Sequence, residues 1–180
     1  IQTNKTSDYR QDDELWWQKA VADGLYVGNV KFDQSANINS IEIAIRVDGG
    51  NGNFLGVIKG VLNIEGTHRI IKGIKQTSGY KTMDIALLTS ENKIIYATGG
   101  DLATEEVLLV IAQFKKTGEK TAFFVQKFLN EEEKLYAQAH SKGVRDFEGL
   151  GWSLLVSQNT GEIFRPVIQM RNILLGIVFA

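Results

Sequence analysis

Ile41-Glu42-Ile43-Ala44-Ile45-Arg46-Val47, then Asp48-Gly49-Gly50-Asn51-Gly52-Asn53 and the β-rich run from Phe54 to Leu62, is the stretch that decides the fold. Ile41, Ile43, Ile45 and Val47 alternate with Glu42, Ala44 and Arg46, the period of a strand with one apolar side and one wet or ligand-facing side. The residues from Asp48 to Asn53 tolerate positive φ, so the whole stretch reads as an antiparallel hairpin. Just upstream, Asp12, Asp13 and Glu14 place acidic groups in the first turn of a helix that runs through Trp16, Trp17, Ala20 and Val21 to a stop at Gly24. Two adjacent Trp cannot share one helix face, so one packs inward and the other lines a pocket or the surface.

Downstream the pattern repeats more completely. Thr67 is placed to cap a helix carrying Ile70, Ile71 and Ile74 that ends near Ser78 and Gly79, and a strand follows from Met83 to Leu88. Glu91 and Asn92 turn it into Ile94 to Ala97. Thr104, Glu105 and Glu106 open another helix, with Val107, Leu108, Val110, Ile111 and Phe114 on more than one face, which closes at Gly118. Ala122 to Leu129, Lys134 to His140 and Trp152 to Ser157 are β-rich segments separated by polar turns. A helix followed by strands, occurring twice, makes the chain α+β with antiparallel sheets in two modules, not a doubly wound nucleotide fold.

Composition narrows the chemistry. With 180 residues, 43% of them hydrophobic, the chain can bury a core. Twenty Lys and Arg against 21 Asp and Glu leave a net charge of -1, which lacks the basic footprint of a nucleic-acid partner. No Cys and two distant His argue against disulfides, thiolate catalysis and Cys- or His-built metal sites. There is no Gly-x-Ser-x-Gly motif either, so the expectation is a non-enzymatic domain with no cofactor and no metal. The chain opens on Ile1 without a basic-then-apolar leader and is read as a fragment. At the other end Ile173 to Ala180 is an unbroken apolar run with no polar face, read as the start of a truncated membrane helix. The last core helix of a soluble protein is the alternative.

Asp8-Tyr9, Asp13-Glu14-Leu15-Trp16-Trp17, Tyr26-Val27-Gly28, Phe32-Asp33, the Ile41 to Val47 strand and Gly56-Val57-Ile58 together resemble the membrane-distal half of a double Cache sensor domain. Gly151-Trp152-Ser153-Leu154-Leu155-Val156-Ser157-Gln158, running through Pro166 into an apolar helix, is similar to its membrane-proximal half. The resemblance covers nearly the whole chain, through the order of short motifs. It implies two PAS-like modules, each an antiparallel sheet flanked by helices. These are a distal module over 1–66, truncated at its N-terminus, a proximal module over 67–165, and an exit helix over 166–180 that begins a transmembrane segment. The long N-terminal helix of the family, through which its members pair as dimers, is missing from this sequence, which leaves a homodimer open. The implied role is extracytoplasmic ligand sensing on the periplasmic side of the cell membrane, at the input end of a histidine kinase, diguanylate cyclase or chemoreceptor. The alternative is a non-ligand-binding module for receptor dimerisation or a periplasmic partner.

In amino-acid-binding members of that family, a Tyr, an Arg, a Trp and a second aromatic hold the ligand with a later Asp. Tyr9, Trp16 and Trp17 fall on the aromatic places, but the Arg place is Glu14 and the Asp place is Val61. Aromatic rings beside carboxylates suit a cation. The expected small-molecule ligand is therefore an amine, with Trp16, Trp17 and Tyr26 as walls and Glu14 or Asp33 as counter-charge. Against this stand plainer roles, a dipole contact for Glu14 and core packing for Trp16. The Asp48 to Asn53 loop as a calcium site, His140 as a pH sensor, Glu131 to Glu133 as an ion site and Gly99-Gly100-Asp101 as a cyclase signature are all weaker than their structural readings.

Overall fold

The structure, a computed structural model, describes residues 11–34, 36–99, 104–117, 121–128, 132–144 and 147–178. Tyr9 lies outside the described residues. The chain divides into two compact units, Ile1–Arg69 and Ile70–Ala180.

In the first unit, α1 (Leu15–Asp23) precedes β1 (Leu25–Val27), β2 (Lys31–Asp33), β3 (Ile38–Asp48) and β4 (Phe54–Asn63). The long strand β3 is the hub, pairing antiparallel with the other three. The hairpin expected from the sequence is present. Gly49 and Asn53 close its turn with an N–H···O bond of 2.8 Å, and the ladder is irregular at Val47/Asp48. Gly24 ends α1 at φ +84, a left-handed conformation that suits glycine, and its N–H returns to the Ala20 carbonyl at 2.9 Å. Arg46 ties the same end of the helix to the sheet, donating from Nη1 to the Val21 carbonyl at 2.6 Å and from Nε to Asp48 at 2.9 Å.

The polarity of β3 differs from that of an ordinary half-buried strand. Ala44 packs beneath Trp16 and Ala20, so the side carrying Ser40, Glu42, Ala44 and Arg46 is the one under α1. Ser40, Glu42 and Ala44 are buried; on the opposite side Ile41 is buried as well, Ile43 is half-buried and Ile45 is 50% exposed. Leu25 and Ile58, cross-strand partners of Ile45, are also exposed. Of the two readings open for the polar side, wet or ligand-facing, the first does not hold, because that side lies under α1.

Helix α2 (Glu65–Thr77) starts before Thr67. Asn63 Oδ1 accepts the Glu65 N–H at 2.8 Å, which leaves Thr67 inside the first turn rather than at the cap.

The second unit holds a five-stranded antiparallel sheet in the order β6-β5-β9-β8-β7. Its strands are β5 (Asp84–Leu88), β6 (Ile94–Ala97), β7 (Thr121–Gln126), β8 (Lys134–His140) and β9 (Ser153–Asn159). α3 (Thr104–Thr117) covers one face, where Val107, Val110, Ile111 and Phe114 meet Ala86, Leu88, Tyr136 and Leu155. On the other face Ile71 of α2 packs with Ile85 and Leu87. β5 is thus buried on both sides, which explains its unbroken apolar Ile85-Ala86-Leu87-Leu88. α4 (Thr160–Ile163) leads into α5 (Arg165–Val178), on which Val167, Met170, Ile173, Leu174 and Ile177 are all exposed. Among the described residues no helix is long and apolar enough to cross a membrane.

Candidate functional site

The sheet face beneath α1 carries the chemistry of the first unit. In register, Ser40 lies opposite Lys31, Asp33 opposite Ile38, Ala44 opposite both Tyr26 and Lys59, and Glu42 opposite Val61. Directly opposed residues point the same way, so Tyr26, Lys31, Asp33, Ser40, Glu42, Arg46 and Lys59 all share the face that α1 covers. Five of these seven are charged, an unusual content for a surface under a helix.

Their contacts form one network. Glu42, whose side chain is 3% exposed, receives Lys59 Nζ on Oε1 and Lys31 Nζ on Oε2, each at 2.6 Å. Lys59, itself 21% exposed, also stands 3.7 Å from Asp33 Oδ2 and lies over the Trp16 ring, 5.0 Å from its centroid. Asp33 is buried too, and its Oδ1 accepts the Ala36 N–H at 2.8 Å, which shapes the turn after β2. Burial works against the Lys31 charge, but the hydrogen bond and charge of Glu42 outweigh it and hold the ammonium above its ordinary value. Two ammoniums and two carboxylates thus balance on a partly buried sheet face.

Aromatic residues flank this network. Trp16 is buried, whereas Trp17 is half-buried, edge-on to Trp16 at 5.8 Å and to Phe54 at 6.2 Å. One Trp therefore faces inward and the other lies partly at the surface, as their adjacency requires. Tyr26 leans its phenol over Gly28, where a Cβ would meet the Tyr26 hydroxyl at 3.0 Å, so glycine leaves room for the ring. Glu14 is the residue before the first turn of α1, exposed and with no side-chain cap bond.

Of the residues singled out from the sequence, the structure brings Trp16 and Asp33 into direct contact with the network through Lys59. It places Tyr26 on the same face, keeps Trp17 at the edge and leaves Glu14 exposed. Lys31, Glu42 and Lys59 were missed. Glu42 had been assigned to the polar side of a strand without a role, and only the hairpin register reveals that it stands across from Val61, the place where an acid was expected. The same sheet face therefore carries an acid, Glu42, and two ammoniums, Lys31 and Lys59. A signal was available in Val57-Ile58-Lys59-Gly60-Val61, where Lys59 is the one charge between two valines of the same face.

No family model and no curated protein matches the chain. Solved structures do match. The sensory domain of the Campylobacter jejuni chemoreceptor Tlp3 aligns with 88% of this chain and 58% of its own at 19% identity, with a TM-score of 0.62; the same domain has been solved with isoleucine bound. The ligand-binding domain of the Pseudomonas aeruginosa PAO1 amino acid chemoreceptor PctC, in complex with GABA, matches 88% of this chain and 66% of its own, at 17% identity and a TM-score of 0.58. The ligand-binding domain of Mlp24 with asparagine matches 92% and 63% respectively, at 15% identity and a TM-score of 0.58. The chain spans less than two thirds of each of these domains. What it shares with them, as the double Cache resemblance implied, is the α+β fold of the ligand-binding sensory domains of chemoreceptors.

Proposed function

We propose that the chain is an extracytoplasmic ligand-sensing domain of a transmembrane signalling receptor, with a membrane-distal module over 1–66 that binds a small molecule beneath α1. The observation that carries this reading is the charged sheet face. A buried ion cluster adds little to stability compared with apolar residues of the same size, so its presence under a helix is better explained by ligand chemistry. The neighbours with known ligands are solved with molecules that carry an amine and a carboxylate, which supports the same assignment.

The charge balance specifies the ligand further. Lys59 already occupies the Trp16 ring, the place assigned from sequence to a ligand amine, and Glu42 is already paired. A bare cation entering here would meet two ammoniums with no free counter-charge. A zwitterion can enter by exchange: its ammonium takes Glu42 and Asp33 while Lys31 and Lys59 swing onto its carboxylate, and the net charge of the pocket stays constant. The expected ligand is therefore an amine that also bears a carboxylate. Its binding would draw β2, β3 and β4 together under α1. The proximal module, 67–165, and the exit helix, 166–180, would pass the change toward the membrane, with no chemistry performed on the ligand.

The test is a thermal-shift and calorimetric screen with amino acids and γ-aminobutyrate beside the matching simple amines and simple carboxylates. Native-state binding raises stability by roughly 2.7 kcal/mol at a hundredfold excess over Kd. A dose-dependent shift from zwitterions alone, abolished in Lys59→Met, is the expected result. A shift from amines alone refutes the exchange. No shift from any compound refutes ligand sensing at this site and favours a structural or partner-binding module.

A further inference from the structure

We propose that the Ile70–Ala180 unit carries a second binding site, separate from the face under α1, which takes a small multivalent anion in the cleft between α2, the loop after it and β6. The cleft has a volume of about 710 Å³ and is lined by Lys72, Lys75, Tyr80, Lys81, Tyr96 and Thr98, together with Gln76 and Gly79. That volume lies within the usual range for small-molecule sites. Three lysines converge on it from two segments, and no carboxylate lines it among the described residues. Lys72 and Lys75 are three residues apart on α2 and so share a helix face. Among the described residues, Lys75 is the one of the three with an ion pair, at 2.7 Å from Asp84 Oδ1. The cleft thus offers an excess of positive charge to a ligand with more than one negative group. Tyr80 and Tyr96 supply two rings that can pack against its carbon frame.

The site lies on the face of the sheet that α2 covers, opposite the α3 face that holds the main core. Its rim is tied to the end of the chain. Glu162 accepts the Lys81 and Thr82 N–H groups at 2.9 Å each and the Thr82 hydroxyl as well, and α5 begins three residues after it at Arg165. An anion that draws Lys81 inward therefore pulls on the segment latched to the exit helix. This gives the second unit an input of its own.

The experiment is isothermal titration of the protein at low ionic strength with citrate and, separately, with pyrophosphate. The variant Lys72→Gln/Lys81→Gln is compared with Lys115→Gln/Lys116→Gln, a control that removes the same charge from the exposed end of α3. Removing two of the three converging charges is expected to weaken binding by at least about tenfold, with the control unchanged. Hydrogen exchange at the Lys81 and Thr82 amides should slow on binding. Binding of citrate alone identifies the ligand class as a polycarboxylate, and binding of pyrophosphate alone identifies a phosphoryl anion. The proposal is overturned if neither anion binds at millimolar concentration, if the cleft variant binds as well as the parent, or if the control weakens equally.

Discussion

Replacing Glu42 by Gln removes one charge from the network while preserving its shape, and the geometry sets the cost. Lys59 is left with an ammonium that is 21% exposed and has no partner closer than Asp33 at 3.7 Å. Breaking one partner of a buried pair costs about 3–5 kcal/mol, and Lys59 belongs near the lower end because it retains Asp33. Lys31 is 50% exposed, so water compensates its loss and adds at most about 1 kcal/mol. The expected destabilisation of the first unit is therefore roughly 3–4 kcal/mol. That is enough to unfold a marginal unit, so the informative comparison is the double variant Glu42→Leu/Lys59→Met. It exchanges the closest pair for apolar groups of similar volume but leaves the buried Asp33 with the Ala36 N–H and without Lys59, so it should be more stable than Glu42→Gln by about 1–3 kcal/mol without surpassing the parent. It should also bind no zwitterion. Urea titration followed by the fluorescence of Trp16 and Trp17 measures the unit directly, in a Trp152→Phe background that silences the other. The reasoning is refuted if Glu42→Gln costs under about 0.5 kcal/mol, the scale of an ordinary surface substitution. It is refuted equally if the double variant is less stable than either single one, since the charges would then be holding the fold together.

Three further outcomes are expected. Glu162 has its carboxyl lowered to about 2, chiefly by the Thr82 hydroxyl and then by the Lys81 and Thr82 amides. Its contribution is thus complete above the ordinary value of 4.5 and lost as pH falls toward 2. Acid unfolding of the second unit should therefore flatten over that window in Glu162→Gln. Gly99→Ala would drive a Cβ into the Asp84 carboxylate, displacing the group that holds Lys75. Overpacking of this kind costs about 1–3 kcal/mol, readable as a lower melting temperature for the second unit. Arg46→Ala loses the Val21 carbonyl and the Phe54 ring, 5.0 Å from its guanidinium, and should destabilise the first unit by about 1–3 kcal/mol, with faster hydrogen exchange in the last turn of α1.

Much of the scaffold was legible because local signals suffice for it. Gly24 stopping α1, the β3–β4 hairpin around Asp48 to Asn53, and β8 at Lys134 to His140 all follow from turn chemistry and period. β1 and β2, with three residues each, are too short for any period to show, and they exist because β3 is long enough to template both along one edge. The sequence signal puts the start of α2 three residues late because Asn63, still at the end of a strand, supplies the cap oxygen. The site was half legible. Trp16, Tyr26 and Asp33 could be picked out as residue types near one another in the chain, but Glu42 and Lys59 meet only through cross-strand register, a property of the pair of strands and not of either one.

The inverted polarity of β3 also bears on how the first unit folds. A slip of one residue in a strand exchanges its two faces. Slipped against its neighbours, β3 would turn the exposed Ile45 inward beneath Trp16 and release Glu42 and Arg46 to water, at the expense of moving Ile41 from the side on which it is already buried. The native pairing is set by the length of the β3–β4 ladder, the fixed turn from Gly49 to Asn53, and the Arg46 anchor on Val21. The charged face under α1 is a locally frustrated region, where burying charge takes the place that apolar packing would fill.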